Sequence, residues 1–208
     1  MKILVMQVGP VSTNAYIVYD EATLKGFVID PGDESVAIQA EIGGRGLDIV
    51  AILVTHGHFD HIAAVDKLKA ALEVDVYASE LDAQICASVE LNRSNMMGRE
   101  TVTCKIDKYL KDGEELDLGF AKIKAIHTPG HTHGHLCYYL LGQNIIFTGD
   151  TLFKGTYGRH DLPTANFEYL KQSLGKLFEL PDETKVYPGH GPSSTIGYEK
   201  KHNLILGE

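Results

Sequence analysis

The sequence predicts an α/β (α+β) fold in which two β-sheets pack face to face with helices outside. Three observations carry that expectation. Short apolar stretches of strand periodicity open the chain in succession, strands then alternate with helical segments, and a second group of strands precedes a last run of helix, strand and helix. Strands that arrive in two groups, each followed by amphipathic helices, bury their apolar faces as layered sheets.

Taken in order, residues 2–8, 14–19 and 24–29 read as strands, separated by Gly9-Pro10 and Asp20-Glu21 and closed by Pro31-Gly32-Asp33. Such an opening is antiparallel. Helical spacing over 34–42 stops at Gly43-Gly44, and the apolar run 49–54 fits a buried strand ending at Thr55. Residues 61–72 read as a helix, 74–78 as a strand, and 79–88 as a helix with Ser79 as its N-cap. Periodicity fades over 89–111, which makes that stretch a candidate flap, with Met96 and Met97 as a candidate apolar wall. Strands return at 121–127, 135–141 and 144–147, with Gly142-Gln143 as a tight turn. A helix over 166–180, a strand over 185–187 and a helix over 195–206 complete the reading.

A chain of 208 residues is long enough to bury its own core, and a single domain over 1–208 is expected. With 44% hydrophobic and 23% charged residues, the composition is that of a soluble globular protein rather than a disordered or membrane one. No apolar run approaches the roughly 20 residues of a spanning helix. The first residues read as a strand rather than a signal peptide, so cytoplasm is the expected location. Cys86, Cys104 and Cys137 are odd in number and widely spaced, which argues against a disulfide framework or a zinc ribbon. A net charge of −9 argues against nucleic-acid binding, and the expected partner is a small-molecule substrate, with neither nucleic acid nor membrane. Oligomeric state is not legible.

Chemistry is concentrated in His56-Gly57-His58-Phe59-Asp60-His61, four potential ligands within six residues between a strand and a helix. Imidazole with carboxylate suits zinc, iron or manganese. Three further signals follow, each at a glycine-bounded turn after an apolar strand: Thr128-Pro129-Gly130-His131-Thr132, Phe147-Thr148-Gly149-Asp150-Thr151 and Tyr187-Pro188-Gly189-His190-Gly191. Ligands carried at strand ends can converge on one edge of layered sheets. No GxSxG elbow or Walker loop offers another mechanism.

Through THxHxDH at 55–61, TPGHT at 128–132, GDT at 149–151 and PGH at 188–190, the chain resembles the metallo-β-lactamase superfamily over essentially its whole length. The stretch GDTLFKGTYGRHDLP is similar to the glyoxalase II-like branch. The resemblance implies an αββα sandwich of two mixed β-sheets with helices on the outer faces. It implies two divalent metal ions, zinc first and iron or manganese as alternatives. His56, His58 and His131 would hold one, Asp60, His61 and His190 the other, and Asp150 would bridge them. A metal-bridging hydroxide would then attack a carbonyl, with Asp60 and Asp150 as catalytic residues and Asp60 orienting the hydroxide.

Arg159 looks like the counterpart of a family lysine that meets a substrate carboxylate, a task its planar fork performs well. An Arg159–Asp161 ion pair is the competing reading. Tyr157 is a candidate pocket residue or a packed tyrosine, and His127 a candidate hydrogen-bond partner of a ligand. His133 and His135 are expected not to ligate, and His160 and His202 to pack or face solvent. The glycine that the family commonly carries after HxHxDH is replaced here by Ile62-Ala63-Ala64, and the chain ends about one helix after His190, where glyoxalase II enzymes continue into a helical domain. The expected activity is hydrolysis of a small thioester in the manner of hydroxyacylglutathione hydrolases. The alternatives are a lactonase, a mononuclear iron persulfide dioxygenase and a non-catalytic metal-binding module.

Overall fold

Three strands, β1 (Lys2–Val8), β2 (Thr13–Tyr19) and β3 (Lys25–Ile29), open the computed structural model, pairing antiparallel with Lys2 opposite Tyr19 and Tyr19 opposite Gly26. The structure describes residues 1–96 and 100–207 and divides into two units, Met1–Leu110 and Lys111–Glu208. In the first unit there follow α1 (Ser35–Gly44), β4 (Asp48–Leu53), α2 (Phe59–Ile62), α3 (Val65–Leu72), β5 (Asp75–Ala78), α4 (Ala83–Ala87) and β6 (Lys108–Tyr109). Its six strands run in the order β1-β2-β3-β4-β5-β6, antiparallel up to β3 and parallel from there on.

One face of this sheet, carrying Ile17, Val28, Ile52 and Val76, packs in one cluster with Ile38 and Ile42 of α1 and Val65 and Leu68 of α3. The i, i+4 spacing of Ile38 and Ile42 gives α1 its buried stripe. After Gly43-Gly44 the Leu47 N–H returns to the Ile42 carbonyl at 3.0 Å and Gly46 takes a φ of 65°, so the helix ends where its glycines predict.

The helix expected over 61–72 is broken. Ala64 donates its N–H to the Pro31 carbonyl at 3.0 Å instead of continuing the helical ladder. Gly32 lies so close to the Asp60 carbonyl that a Cβ there would stand 1.6 Å from its oxygen. Backbone approach from the Pro31-Gly32 turn thus separates α2 from α3. Ser79 does cap its segment, accepting the Leu81 N–H at 3.2 Å, but the segment is a 3-10 turn (Glu80–Asp82) leading into the short α4.

The described part of 89–111 is anchored rather than a loose flap. Buried Asn92 donates to the Val102 carbonyl at 2.7 Å, Cys104 N–H donates to the Cys86 carbonyl at 3.0 Å, and Cys104 and Ile106 enter the core. Met96 is exposed, and Met97 lies outside the described residues.

In the second unit, β7 (Glu115–Asp117), β8 (Lys122–His127), β9 (Leu136–Leu140) and β10 (Ile145–Gly149) precede a two-residue-per-strand hairpin of β11 (Leu152–Phe153) and β12 (Thr156–Tyr157). Then come α5 (Phe167–Leu177), β13 (Lys185–Pro188), β14 (Ser194–Thr195) and α6 (Ile196–His202). The sheet order is β14-β13-β10-β9-β8-β7, with β10 and β13 parallel and the other pairs antiparallel. The turn between β9 and β10 is wider than Gly142-Gln143, since Leu140 pairs with Ile145 and both Gly142 and Asn144 have positive φ.

Asn166 caps α5 by accepting the Tyr169 N–H at 3.0 Å, and Leu170, Leu174 and Leu177 recur at i, i+4, i+7 in one cluster with Ile126, Ile146 and Val186. α6 stops at His202, short of the expected 206, because Asn203 turns to extended backbone. The Asn203 side chain donates to the Thr156 carbonyl at 2.8 Å and to Glu199 at 2.7 Å.

One ion pair gives the first unit a pH dependence. Asp107 accepts Lys69 Nζ at 2.5 Å and the Val76 N–H at 3.0 Å. Burial raises its carboxyl, but the lysine and the backbone N–H outweigh burial and hold it below the ordinary carboxylate range. A carboxyl depressed in the folded state contributes stability above its unfolded value of about 3.9, and that contribution is lost as pH falls through the folded value. Urea midpoints should therefore drop more steeply below about pH 4 for wild type than for Asp107→Asn; parallel curves would remove Asp107 from the acid response.

Candidate metal centre

In the first unit the HGHFDH loop is held at its root by Asp30. This residue directly follows β3 with a φ of 48° and is 1% exposed. Its carboxylate accepts the Thr55 N–H at 2.7 Å, the Thr55 hydroxyl at 2.6 Å and His61 Nδ1 at 2.9 Å. From the other side, Asp82 accepts the Gly57 N–H at 2.9 Å. Gly57 also meets α4 directly, since a Cβ there would stand 2.8 Å from Cys86 N.

Within that frame His56, His58, Asp60 and His61 gather. The His56 ring centroid lies 4.8 Å from that of His58 and 4.1 Å from that of His61. Thr13, at the start of β2, donates its hydroxyl to Asp60 Oδ2 at 2.8 Å. The same oxygen lies 3.4 Å from His61 Nε2.

The protonation pattern follows from the partners. A carboxylate only accepts, so His61 carries its proton on Nδ1 and presents the Nε2 lone pair to Asp60. Likewise Thr55 gives its proton to Asp30, which leaves its oxygen to accept from His56 Nδ1 at 3.1 Å. Buried imidazole lone pairs beside a carboxylate oxygen form an electron-rich cluster, and a divalent cation is the group that fits it.

The second unit builds a matching set. His131 follows β8 through Gly130, whose φ of 139° and contact with Leu170, 2.3 Å from an added Cβ, admit no side chain. His131 Nδ1 donates to the Arg159 carbonyl at 2.8 Å, which fixes its tautomer as Asp30 fixes that of His61. Asp150 follows β10, and its Oδ2 lies 3.6 Å from Nε2 of His131 and 3.6 Å from Nε2 of His190. His190 follows β13, where the Gly189 N–H donates to the Gly149 carbonyl at 2.7 Å and ties the two loops together. Gly158 presses on the same cluster, for a Cβ there would stand 1.8 Å from the Asp150 carbonyl oxygen and 3.3 Å from His131 Nδ1.

The remaining expectations separate. The Arg159 guanidinium is engaged by Asp161 through two hydrogen bonds of 2.9 and 3.0 Å, and that contact raises its pKa. Tyr157 is half-buried against Phe167, with ring centroids 5.9 Å apart. His127 donates to the His133 carbonyl at 2.9 Å instead of to a ligand. His160 packs on Phe167 and His202 on Tyr198, as expected of packing residues.

Sequence reading missed Thr13, Asp82, the Arg159 carbonyl and, most of all, Asp30. The last had a signal, because an acidic residue closing the apolar strand Gly-Phe-Val-Ile needs buried hydrogen-bond donors.

Imidazoles and carboxylates held this way at strand ends define a divalent-metal protein of the α/β class. The chain belongs to the metallo-β-lactamase superfamily, whose sequence profile matches residues 8–190, and at that level it is a metallo-hydrolase. It is 38% identical to the probable metallo-hydrolase YqgX of Bacillus subtilis over 97% of this chain and 95% of that protein. It is 32% identical to the hydroxyacylglutathione hydrolase GloC of Haemophilus influenzae over 99% of this chain and 98% of that protein. Among solved structures, the BLEG-1 B3 metallo-beta-lactamase superposes with a TM-score of 0.95 at 35% identity over 100% of both chains. A di-iron-bound form of TTHA1623 superposes at 0.87 with 38% identity over 98% of this chain and 100% of that one. The expected fold class of two mixed sheets with helices is thereby shown.

Asp30→Asn keeps the shape of the side chain and removes the charge that orients His61. Metal affinity measured by competition with a chromophoric chelator should fall about 10- to 100-fold. Wild-type affinity in that variant would separate Asp30 from metal binding.

Proposed function

We propose that the protein is a dinuclear metal-dependent hydrolase that cleaves a small thioester of the hydroxyacylglutathione type. The observation that carries this reading is the full-length likeness to GloC, 32% identical over 98% of that protein, in a chain that carries seven candidate ligands, five histidines and two aspartates. The proposed ligands are His56, His58 and His131 for one ion, Asp60, His61 and His190 for the other, and Asp150 between them. Zinc is the first expectation; the di-iron form of TTHA1623 supports iron as an occupant, and the donor set also suits manganese.

When bound, two divalent ions supply Lewis acidity to a carbonyl oxygen and lower the pKa of water. The chain's own residues prepare that chemistry. With Nδ1 of His61 and of His131 committed to Asp30 and to the Arg159 carbonyl, Nε2 is the atom that each would offer to a metal ion. Thr13 holds the Asp60 carboxyl group in one orientation, from which Asp60 would accept a hydrogen bond from the attacking water.

Arg159 and Tyr157 are the proposed substrate contacts. The Arg159–Asp161 pair is largely exposed, at 67% and 64% for the two side chains. Water screens an exposed pair and leaves it with little net stabilisation, so exchanging Asp161 for a substrate carboxylate costs little. The acidic balance favours a small molecule over nucleic acid. Among the described residues no helix is long and apolar enough to cross a membrane. We place the reaction in the cytoplasm, a setting that suits the buried cysteines Cys86, Cys104 and Cys137, none of which is in a disulfide.

The likeness to BLEG-1 favours a second reading, opening of a β-lactam ring by the same site. Metal analysis of purified protein alongside thioester, lactone, β-lactam and persulfide substrates separates these activities. Two ions per chain with thioester cleavage is the expected result. One iron per chain with oxygen uptake on a persulfide and no thioester cleavage would overturn it.

Two variants test the assignments. Asp150→Ala should lower the occupancy of both ions, because a bridging carboxylate neutralises both; two ions at normal turnover would refute the bridge. Arg159→Ala should raise KM with metal content unchanged, whereas unaltered kinetics would leave it the surface pair alone.

A further inference from the structure

His135 is fully buried, at 0% exposure, although it is expected not to ligate metal. It lies at the head of β9, between the two motifs that carry His131 and Asp150. Its Nε2 accepts the backbone N–H of Asp150 at 3.1 Å. Its Nδ1 lies 3.0 Å from the Thr128 hydroxyl and 3.1 Å from the Thr151 hydroxyl, and both threonines are fully buried. Its backbone carbonyl accepts the Thr128 N–H at 2.9 Å.

Only one proton arrangement satisfies these contacts. A backbone N–H can only donate, so Nε2 facing Asp150 bears no proton and Nδ1 bears one. Nδ1–H then donates to the threonine hydroxyls. The Thr151 hydroxyl has the Thr128 hydroxyl oxygen at 3.1 Å and the Thr128 carbonyl oxygen at 3.4 Å to receive its proton, and the Thr128 hydroxyl has Cys137 Sγ at 3.2 Å. Cys137 in turn donates to the Thr148 carbonyl at 3.6 Å. A second proton on the ring would set Nε2–H against the Asp150 N–H, donor against donor.

We propose that His135 is a positioning residue that holds the Asp150 main chain, and through it the carboxylate, at the place where its Oδ2 lies 3.6 Å from Nε2 of both His131 and His190. A buried aromatic residue of the same size would fill the space equally well. What it would not supply is an acceptor for the Asp150 N–H on the first residue after β10, where the sheet ladder no longer provides one. The ring therefore sets the direction in which Asp150 leaves the strand. This inference rests on the reading of Asp150 as the ligand shared by two ions.

The test compares His135→Gln with His135→Asn. The glutamine amide reaches the place of Nε2 and can accept the Asp150 N–H, whereas the asparagine amide reaches only the place of Nδ1 and keeps the threonine contacts. Zinc stoichiometry and affinity are measured by chelator competition, and the visible absorption of the cobalt-substituted protein reports ligand geometry. Wild type and Asp150→Ala serve as the two references.

His135→Asn should bind the weaker ion about 10- to 100-fold less tightly and shift the cobalt spectrum toward that of Asp150→Ala, while His135→Gln stays close to wild type. Wild-type affinity and spectrum in both variants, or equal loss in both, would overturn the proposal while leaving the dinuclear reading intact. Fewer than two ions in wild type would instead overturn that reading and this proposal with it. Should the asparagine variant fail to fold, nitrogen-15 spectra of the wild-type protein decide. A neutral Nδ1–H ring at His135 before and after zinc loading is expected, and a proton on Nε2 in either state would overturn the assignment.

Discussion

The first unit turns on one buried charge. Asp30 removes a carboxylate from water at the end of an apolar strand, a costly act unless donors replace the lost hydration. Thr55 and His61 supply them, two from the residue that begins the ligand loop and one from the residue that ends it. The same three bonds therefore solvate the charge, fix both ends of HGHFDH and choose the tautomer of His61. They also account for the left-handed backbone of Asp30, a conformation that a residue with a Cβ keeps only when its surroundings determine it.

The second unit reaches a similar end by close backbone contact. His131 is oriented by a carbonyl rather than a carboxylate, and that carbonyl belongs to a residue whose side chain points elsewhere. The segment that delivers it can approach only because Gly158 lacks a Cβ. Side-chain identity at Arg159 and main-chain position at Arg159 are thus separate properties, one facing solvent and one facing a ligand.

How much of this was legible depends on the range of the interaction responsible. Strands β1 to β4 and β8 to β10 and helix α5 announce themselves through local periodicity, and the seven candidate ligands through motifs read within a few residues. The break between α2 and α3 is set by Gly32, which lies far from Asp60 in sequence, and the end of α6 by Asn203 reaching the β11–β12 hairpin. No window on the local sequence contains both partners of either contact. The polar ties of Asn92 and Ser94 to Val102 look like irregular loop for the same reason, and strands of two residues are too short to show a period. Asp30 alone was recoverable, from the principle that a buried acid needs donors.

The parallel pairing of β10 with β13 has a different implication. Asp150 and His190 each leave the sheet just past these strands, and one hydrogen bond from Gly189 to Gly149 closes the gap between their loops. Their separation is thus a spacing of the sheet itself, independent of the length of chain that joins them. The crossover through α5 can lengthen, shorten or change its surface across descendants of this sequence, and the two side chains will keep their distance as long as neighbouring strands keep theirs.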